Sequence, residues 1–304
     1  MQKCMSDAAP NWELMRSFLA VLTEGSLSGA ARTLGQTQPT IGRHIAELEA
    51  GLGGVGLFVR SPRGLIPTEA GLELRPHAEA MAAAARALVR AASGGRDQVR
   101  GAVRITASEM VGAHVLPPIL TAFREAHPEV TVEVILSNRA EDLLRREADI
   151  AVRMVRPTQG ALVAKALGGI TLGLHAHRAY LDRHGMPESL EALSDHAVIG
   201  YDQETPAIRA MIAAGLPLNR EMFAWRTDSD IGQYAAISAG YGIGLCQIGL
   251  ARRDGLVPVL PGALTFDLPT WLVMHEDLKG ARRMRLMFDH LAEGLAAYVA
   301  TSRP

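Results

Sequence analysis

The sequence predicts a small winged helix-turn-helix head, a long helix, and a two-lobed α/β body. Three observations predict it. Residues 27–66 read as two short helices around a turn, followed by a hairpin. From Thr68 to Ala92 an Ala-rich repeat at spacings of four and three marks one long helix. Beyond Ser93-Gly94-Gly95, strand and helix patterns alternate, which is the layering of an α/β domain.

The totals agree with this. A chain of 304 residues holds about two domains. Hydrophobic residues make up 48% and charged residues 21%, enough apolar surface for real cores. The net charge of -1 announces no polyanionic partner, so any contact with nucleic acid has to come from placement. Two cysteines, Cys4 and Cys246, form neither a disulfide framework nor a zinc spacing, and ten histidines are scattered, so no metal or cofactor is expected. The N-terminus shows no signal peptide and no segment has membrane-spanning length, so a cytoplasmic protein is expected.

Asn11 is placed to cap the first helix, with Trp12, Met15, Leu19 and Leu22 as its buried face and Phe18 alongside. Glu24-Gly25-Ser26 ends it, and a short helix follows from Leu27 to Leu34. Thr37 caps the third helix, and Pro39 is tolerated in its first turn because the missing N–H has no partner there. Ile41, Ile45, Leu48 and Leu52 form its buried stripe. Its other face shows Gln38, Thr40, Arg43, His44 and Glu47. Leu57-Phe58-Val59 and Leu65-Ile66 are the strands of a wing, turning at Ser61-Pro62-Arg63-Gly64. In the long helix Leu74, Ala78, Met81, Ala85 and Leu88 make a stripe suited to a second helix, and Pro76 interrupts the pattern.

A polar helix face of this kind suits a DNA major groove. Arg bonds guanine bidentately, Gln bonds adenine, and Thr meets a thymine methyl. In a helix-turn-helix the second helix is inserted and the first crosses the backbone. Wing arginines Arg60 and Arg63 are placed for phosphates. The plainer alternative is a solvated surface face.

In the body, "GAVRITAS", "VTVEVILS" and "DIAVRMV" read as strands, with helices from Val111 to Ala126 and around Glu141 to Arg146. A second α/β stretch covers about Ile170 to Leu260, then come the strand "LPTWLVMHED" and a closing helix from Gly280 to Val299. Ser108 lies between strand and helix, where its hydroxyl and the free N–H groups can hold an anion. "AGYGIG" at 239–244 lacks the spacing of a dinucleotide loop and reads as a tight helix-to-strand passage.

Residues 11–74 resemble the N-terminal region of LysR-type transcriptional regulators. The stretches that carry this are "FLAVLTEGSLSGAARTLGQTQPTIGRHIAELEAGLG", "LFVRSPRGL" and "PTEAGLEL". In the body, "LPPILTAFREAHPEVTVEV", "ADIAVRM" and "SAGYGIGLCQIGLARRDGLVPVL" resemble the family's effector-binding domain. The resemblance implies a type 2 periplasmic-binding-protein fold whose lobes close on a small molecule. It implies a DNA-binding domain at 11–68, a linker helix and hinge at 69–95 that dimerises, and an effector domain at 96–304. Lobe one would be 101–169 plus 264–304, and lobe two 170–263.

The expected DNA-binding residues are Ser26, Arg32, Gln38, Pro39, Thr40, Arg43, His44, Arg60 and Arg63. The expected effector-binding residues are Thr106, Ser108, Asn138, Arg139, Arg153, Tyr201, Asp202, Thr205 and Asp228; a structural turn or cap is the competing role for each of them, and a lobe-surface salt bridge for Arg153. Implied partners are double-stranded operator DNA, a small anionic effector, RNA polymerase, and further copies of the chain in a dimer or tetramer. Two departures from the family pattern stand out. Gly54-Val55-Gly56 is one residue longer than usual, which either bulges harmlessly or shifts the wing. Gly42 replaces a common Ser, at about 1 kcal/mol of helix propensity.

Three other readings compete. A cytoplasmic solute-binding protein with weak or degenerate DNA binding explains the body but not the head. An enzyme lacks a catalytic constellation. A purely structural dimerisation protein leaves Gln38, Thr40, Arg43 and the wing arginines unexplained.

Overall fold

A computed structural model describes residues 11–62, 64–92, 99–138, 148–157, 162–204, 206–213 and 219–303. They divide into two units, one of residues 11–92 and one built from residues 99–138 and 149–303.

The first unit begins with α1 (Trp12–Glu24), capped by the Asn11 side chain and closed by Gly25. Helix α2 (Leu27–Leu34) is capped by Ser26, and α3 (Gln38–Gly51) by Thr37. Strands β1 (Phe58–Ser61) and β2 (Gly64–Pro67) form the wing, with Arg60 opposite Leu65. Helix α4 (Glu69–Ala92) follows. The core packs Leu14, Met15, Phe18 and Val21 against Ala30, Ala31, Ile41, Ile45 and Leu48. The buried face of α1 is therefore rotated from the expected one. Trp12, Leu19 and Leu22 are half-buried and pack against the edge of that core. Leu52 ends α3 as an exposed cap residue rather than as part of the stripe. Pro76 lies within α4, and the rung it removes would have ended on the carbonyl of Leu72, an exposed residue.

The extra residue falls in an exposed loop. Gly53 and Gly54 take positive φ of 80° and 85°, and 53–56 stays in solvent. Leu57 nonetheless reaches the core, and its N–H donates to Glu49 Oε1 at 2.7 Å. The chain is thus re-anchored before the wing begins.

The second unit is built on one long sheet. Its strands are β3 (Gly101–Ala107), β4 (Val130–Leu136), β5 (Ile150–Arg153), β6 (Leu162–Ala176), β7 (Val198–Gly200), β8 (Phe223–Arg226), β9 (Ile243–Gln247), β10 (Val257–Pro258) and β11 (Thr265–His275). The order is β4-β3-β5-β11-β6-β9-β7-β8, with β10 added on β6. β3 pairs in parallel with β4 and β5, and β7 in parallel with β8 and β9. These are the two lobes. β6 and β11 pair antiparallel along their lengths and run through both, with a register shift at Thr270/Trp271 opposite Gly168. The helices are α5 (Leu116–Ala126), α6 (Arg178–His184), α7 (Pro206–Ala213), α8 (Asp230–Ser238), α9 (Ile248–Arg253) and α10 (Arg282–Thr301). A π-helical turn, Val111–Val115, precedes α5. The expected helix around Glu141–Arg146 lies outside the described residues. "AGYGIG" ends α8 and opens β9, a passage between packed elements.

Candidate nucleic-acid interface and interlobe cleft

The head presents one polar surface. Gln38, Pro39 and Arg43 on α3, Arg32 on α2 and Arg60 on the wing are exposed. Among the described residues, none of these arginines pairs with a carboxylate. Three other expected contacts are occupied within the head. His44 turns inward and shares a 2.7 Å hydrogen bond with the Ser17 hydroxyl, which is fully buried on α1. Thr40 bonds the capping Thr37 hydroxyl at 2.8 Å, and Ser26 accepts from the N–H of Gly29. Arg63 lies outside the described residues. Ser28, which sequence reasoning passed over, is exposed at the start of α2; no signal short of packing distinguishes it from Ser26.

The wing is locked to the helices. The N–H of Leu65 donates to the carbonyl of Gly25 at 2.7 Å, and the Phe58 ring packs on Phe18 with centroids 5.5 Å apart. Gly64 sits at φ 119°, and a Cβ there would overlap the Gly25 carbonyl oxygen. Thr68 accepts from Gly71 and donates to the Gly56 carbonyl, tying the start of α4 to the base of the wing. Much of the quoted "GSLS", "RGL" and "PTEAG" pattern therefore builds the scaffold rather than touching DNA.

In the second unit the C-terminal ends of the parallel strands from both lobes converge, the usual place for ligands in an open α/β sheet. Ser108 is half-buried just after β3. Thr106 is buried and accepts from Arg153 Nη2 at 3.1 Å; Arg153 Nη1 donates to the Val152 carbonyl at 3.0 Å. Asn138 does two jobs. Its Oδ1 accepts the N–H of Glu109 at 3.0 Å, and its Nδ2 donates to Asp230 of α8 at 3.1 Å, joining lobe one to lobe two. The protein packed around Asp230 raises its pKa, the Glu109 carboxylate adds to the rise, and Asn138 opposes it. Part of the residue's surface nevertheless stays open to solvent. Arg253 ties the lobes a second time by donating to the His114 carbonyl of the π-turn.

Lobe two contributes less than expected. Tyr201 is buried in that lobe's own core, its ring edge-on to Phe223 at 5.0 Å, and among the described residues its hydroxyl has no partner. Asp202 is paired with Arg220 at 2.5 Å. Asp228 accepts the N–H groups of Asp202 and Gln203 and holds that loop. These three side chains build the lobe. Arg139 and Thr205 lie outside the described residues. Asp230, missed in the sequence because it reads as one more helix-start acid, is the lobe-two group that meets Asn138.

Two sequence families match this chain, described as a bacterial regulatory helix-turn-helix protein of the lysR family over residues 12–72 and as a LysR substrate binding domain over residues 96–296. The chain belongs to the LysR family of transcriptional regulators. It is 30% identical over 303 residues to the probable HTH-type transcriptional regulator LtrA of Klebsiella pneumoniae, covering 94% of this chain and 95% of that one. It resembles the solved structure of CrgA from Neisseria meningitidis, with a TM-score of 0.57 at 26% identity over 94% of this chain and 99% of that one. It shares its fold with CbnR, a LysR family regulator, with a TM-score of 0.67 at 19% identity over 93% and 99% of the two chains. This LysR-family chain is a DNA-binding transcriptional regulator with an effector-binding domain. Among the described residues, no helix is long and apolar enough to cross a membrane.

A thiol switch has little physical support at Cys246. The side chain is buried, and burial followed by the nearby Asp254 pushes its pKa up to about 12. A thiol of this kind is not the thiolate that oxidants attack. Cys4 lies outside the described residues.

Proposed function

We propose that α3 reads operator bases through Gln38, Thr40 and Arg43, with Pro39 at its tip. Arg32, Arg60 and Arg63 meet phosphates, and Ser26 and His44 act by holding α2 and α3 in place. The observation that supports this best is that Gln38 and Arg43 are exposed, with the half-exposed Thr40 between them held by Thr37, beside exposed wing and α2 arginines. Two chains, paired through α4, place two heads on a two-fold operator, and effector domains pair again into a tetramer. RNA polymerase then meets a complex whose DNA bend depends on the effector.

The effector is a small cytoplasmic metabolite bound between the lobes near Ser108, Thr106 and Arg153. A single negative charge suits the Arg153 guanidinium and the start of the helix after Ser108. Glu109 and Asp230 at the Asn138 bridge disfavour a second one. Binding changes the population of closed lobes and so the head spacing.

Footprinting on the chain's own upstream DNA, with a salt series, tests the first part. A bounded two-fold footprint is expected, and Arg43→Ala should cost about 1–3 kcal/mol on that site and much less on random DNA. Equal loss on both would move Arg43 to the phosphates. Ser108→Trp should leave the footprint intact and abolish the effector response. Loss of both would make Ser108 structural.

A further inference from the structure

We propose that lobe two carries a second small-molecule site, separate from the interlobe cleft, that takes a neutral one-ring phenol or similar apolar alcohol. The site is a cavity of about 230 Å³ where β6 changes neighbour from β11 to β10. Ile248 of α9, Leu256, Val259 and Leu260 line it together with His175 of β6. A dry apolar cavity of roughly 150 Å³ already suffices for benzene, so this one holds a substituted ring.

The hydrogen-bonding group is His175, which is 5% exposed. Its Nδ1 lies 2.9 Å from the Gly173 carbonyl. The Cys246 sulfur lies 3.5 Å from the same nitrogen. A carbonyl only accepts, and it is the nearer partner, so Nδ1 carries the proton and Nε2 of the neutral ring is an acceptor. Among the described residues nothing bonds Nε2, the atom keeps some accessible surface, and His175 lines the cavity. Burial lowers the pKa of the imidazole, the Gly173 bond opposes this and Arg252 adds to it, and the net lowering favours that neutral form. An apolar pocket with one unsatisfied acceptor at its wall selects an apolar body with one donor. Carboxylates fit poorly, because they only accept. The Arg252 guanidinium at the edge is already held by the carbonyls of Thr301 and Arg303. Leu260 on the covering loop has a φ of 48°, a strained conformation of the kind that gathers at binding sites.

The full-length chain would be titrated calorimetrically with p-cresol, toluene and benzoate. One p-cresol per chain is expected, bound about tenfold more tightly than toluene, the ratio of one hydrogen bond. Thr265→Trp, at an exposed lining position, should abolish p-cresol binding. His175→Phe should bring p-cresol and toluene to the same affinity. Benzoate binding, if any, should survive Thr265→Trp because it belongs to the cleft. P-cresol binding that survives Thr265→Trp, equal affinity for p-cresol and toluene, or no saturable binding would each overturn the proposal. Should His175→Phe fail to fold, the comparison of ligands on the parent chain still reads the hydrogen bond.

Discussion

At Gly64 a methyl group has nowhere to go. Backbone strain at φ 119° and overlap with the Gly25 carbonyl act together, so Gly64→Ala should destabilise the head by about 2 kcal/mol or more. Urea unfolding of the full chain would read this, and a change under about 0.5 kcal/mol would mean that the wing shifts freely. The same scale shows why residue type misleads. His44 and Tyr201 carry the chemistry of DNA and ligand contacts, yet each has its side chain turned toward its own core. A helical position on the edge of the apolar stripe has two possible directions, and only a partner such as buried Ser17 selects one.

Among the elements, α4 has an unmatched face. Leu74 and Ala78 pack on the head's own core. Met81, Leu88 and Val89 are exposed, Leu88 at 70%. The expected dimer stripe thus divides, its first half used within the chain and its second half open. Leu88→Glu should convert a dimer to monomer in sedimentation at micromolar concentration while thermal stability of the effector unit stays constant. A variant that sediments like the parent would remove α4 from the interface. The 3.6-residue period was legible in the sequence; which half of the stripe the head consumes was not, because that depends on where α1 packs.

For the molecule as a whole, the lobes share strands β6 and β11 and a continuous apolar core, and a few polar bonds tie them further. Asn138 bridges Glu109 and Asp230, and Arg253 reaches the π-turn. Removing the first bridge frees the start of both helices. In Asn138→Ala, amide exchange over 108–112 and 228–232 should accelerate about tenfold, as expected for one lost hydrogen bond. Unchanged exchange in lobe two would show that the lobes stay joined without it. Under the proposed mechanism, in which an effector biases the population of closed lobes, this bridge would take part in the regulatory step.

Local patterns in the sequence were enough for the order of elements in the head, the caps at Asn11 and Thr37, the wing, and the alternation of strand and helix in the body. These rest on interactions between residues a few positions apart, and such interactions leave periodic and positional traces. Tertiary structure alone decided that β6 and β11 thread both lobes, that Asp228 and Asp202 are used up inside lobe two, that Asp230 faces Asn138, and that a cavity opens beside His175. Each of these joins residues tens of positions apart, with Asn138 and Asp230 separated by 92. Such pairs meet only because the sheet order brings them together, and no local pattern of residues encodes that meeting.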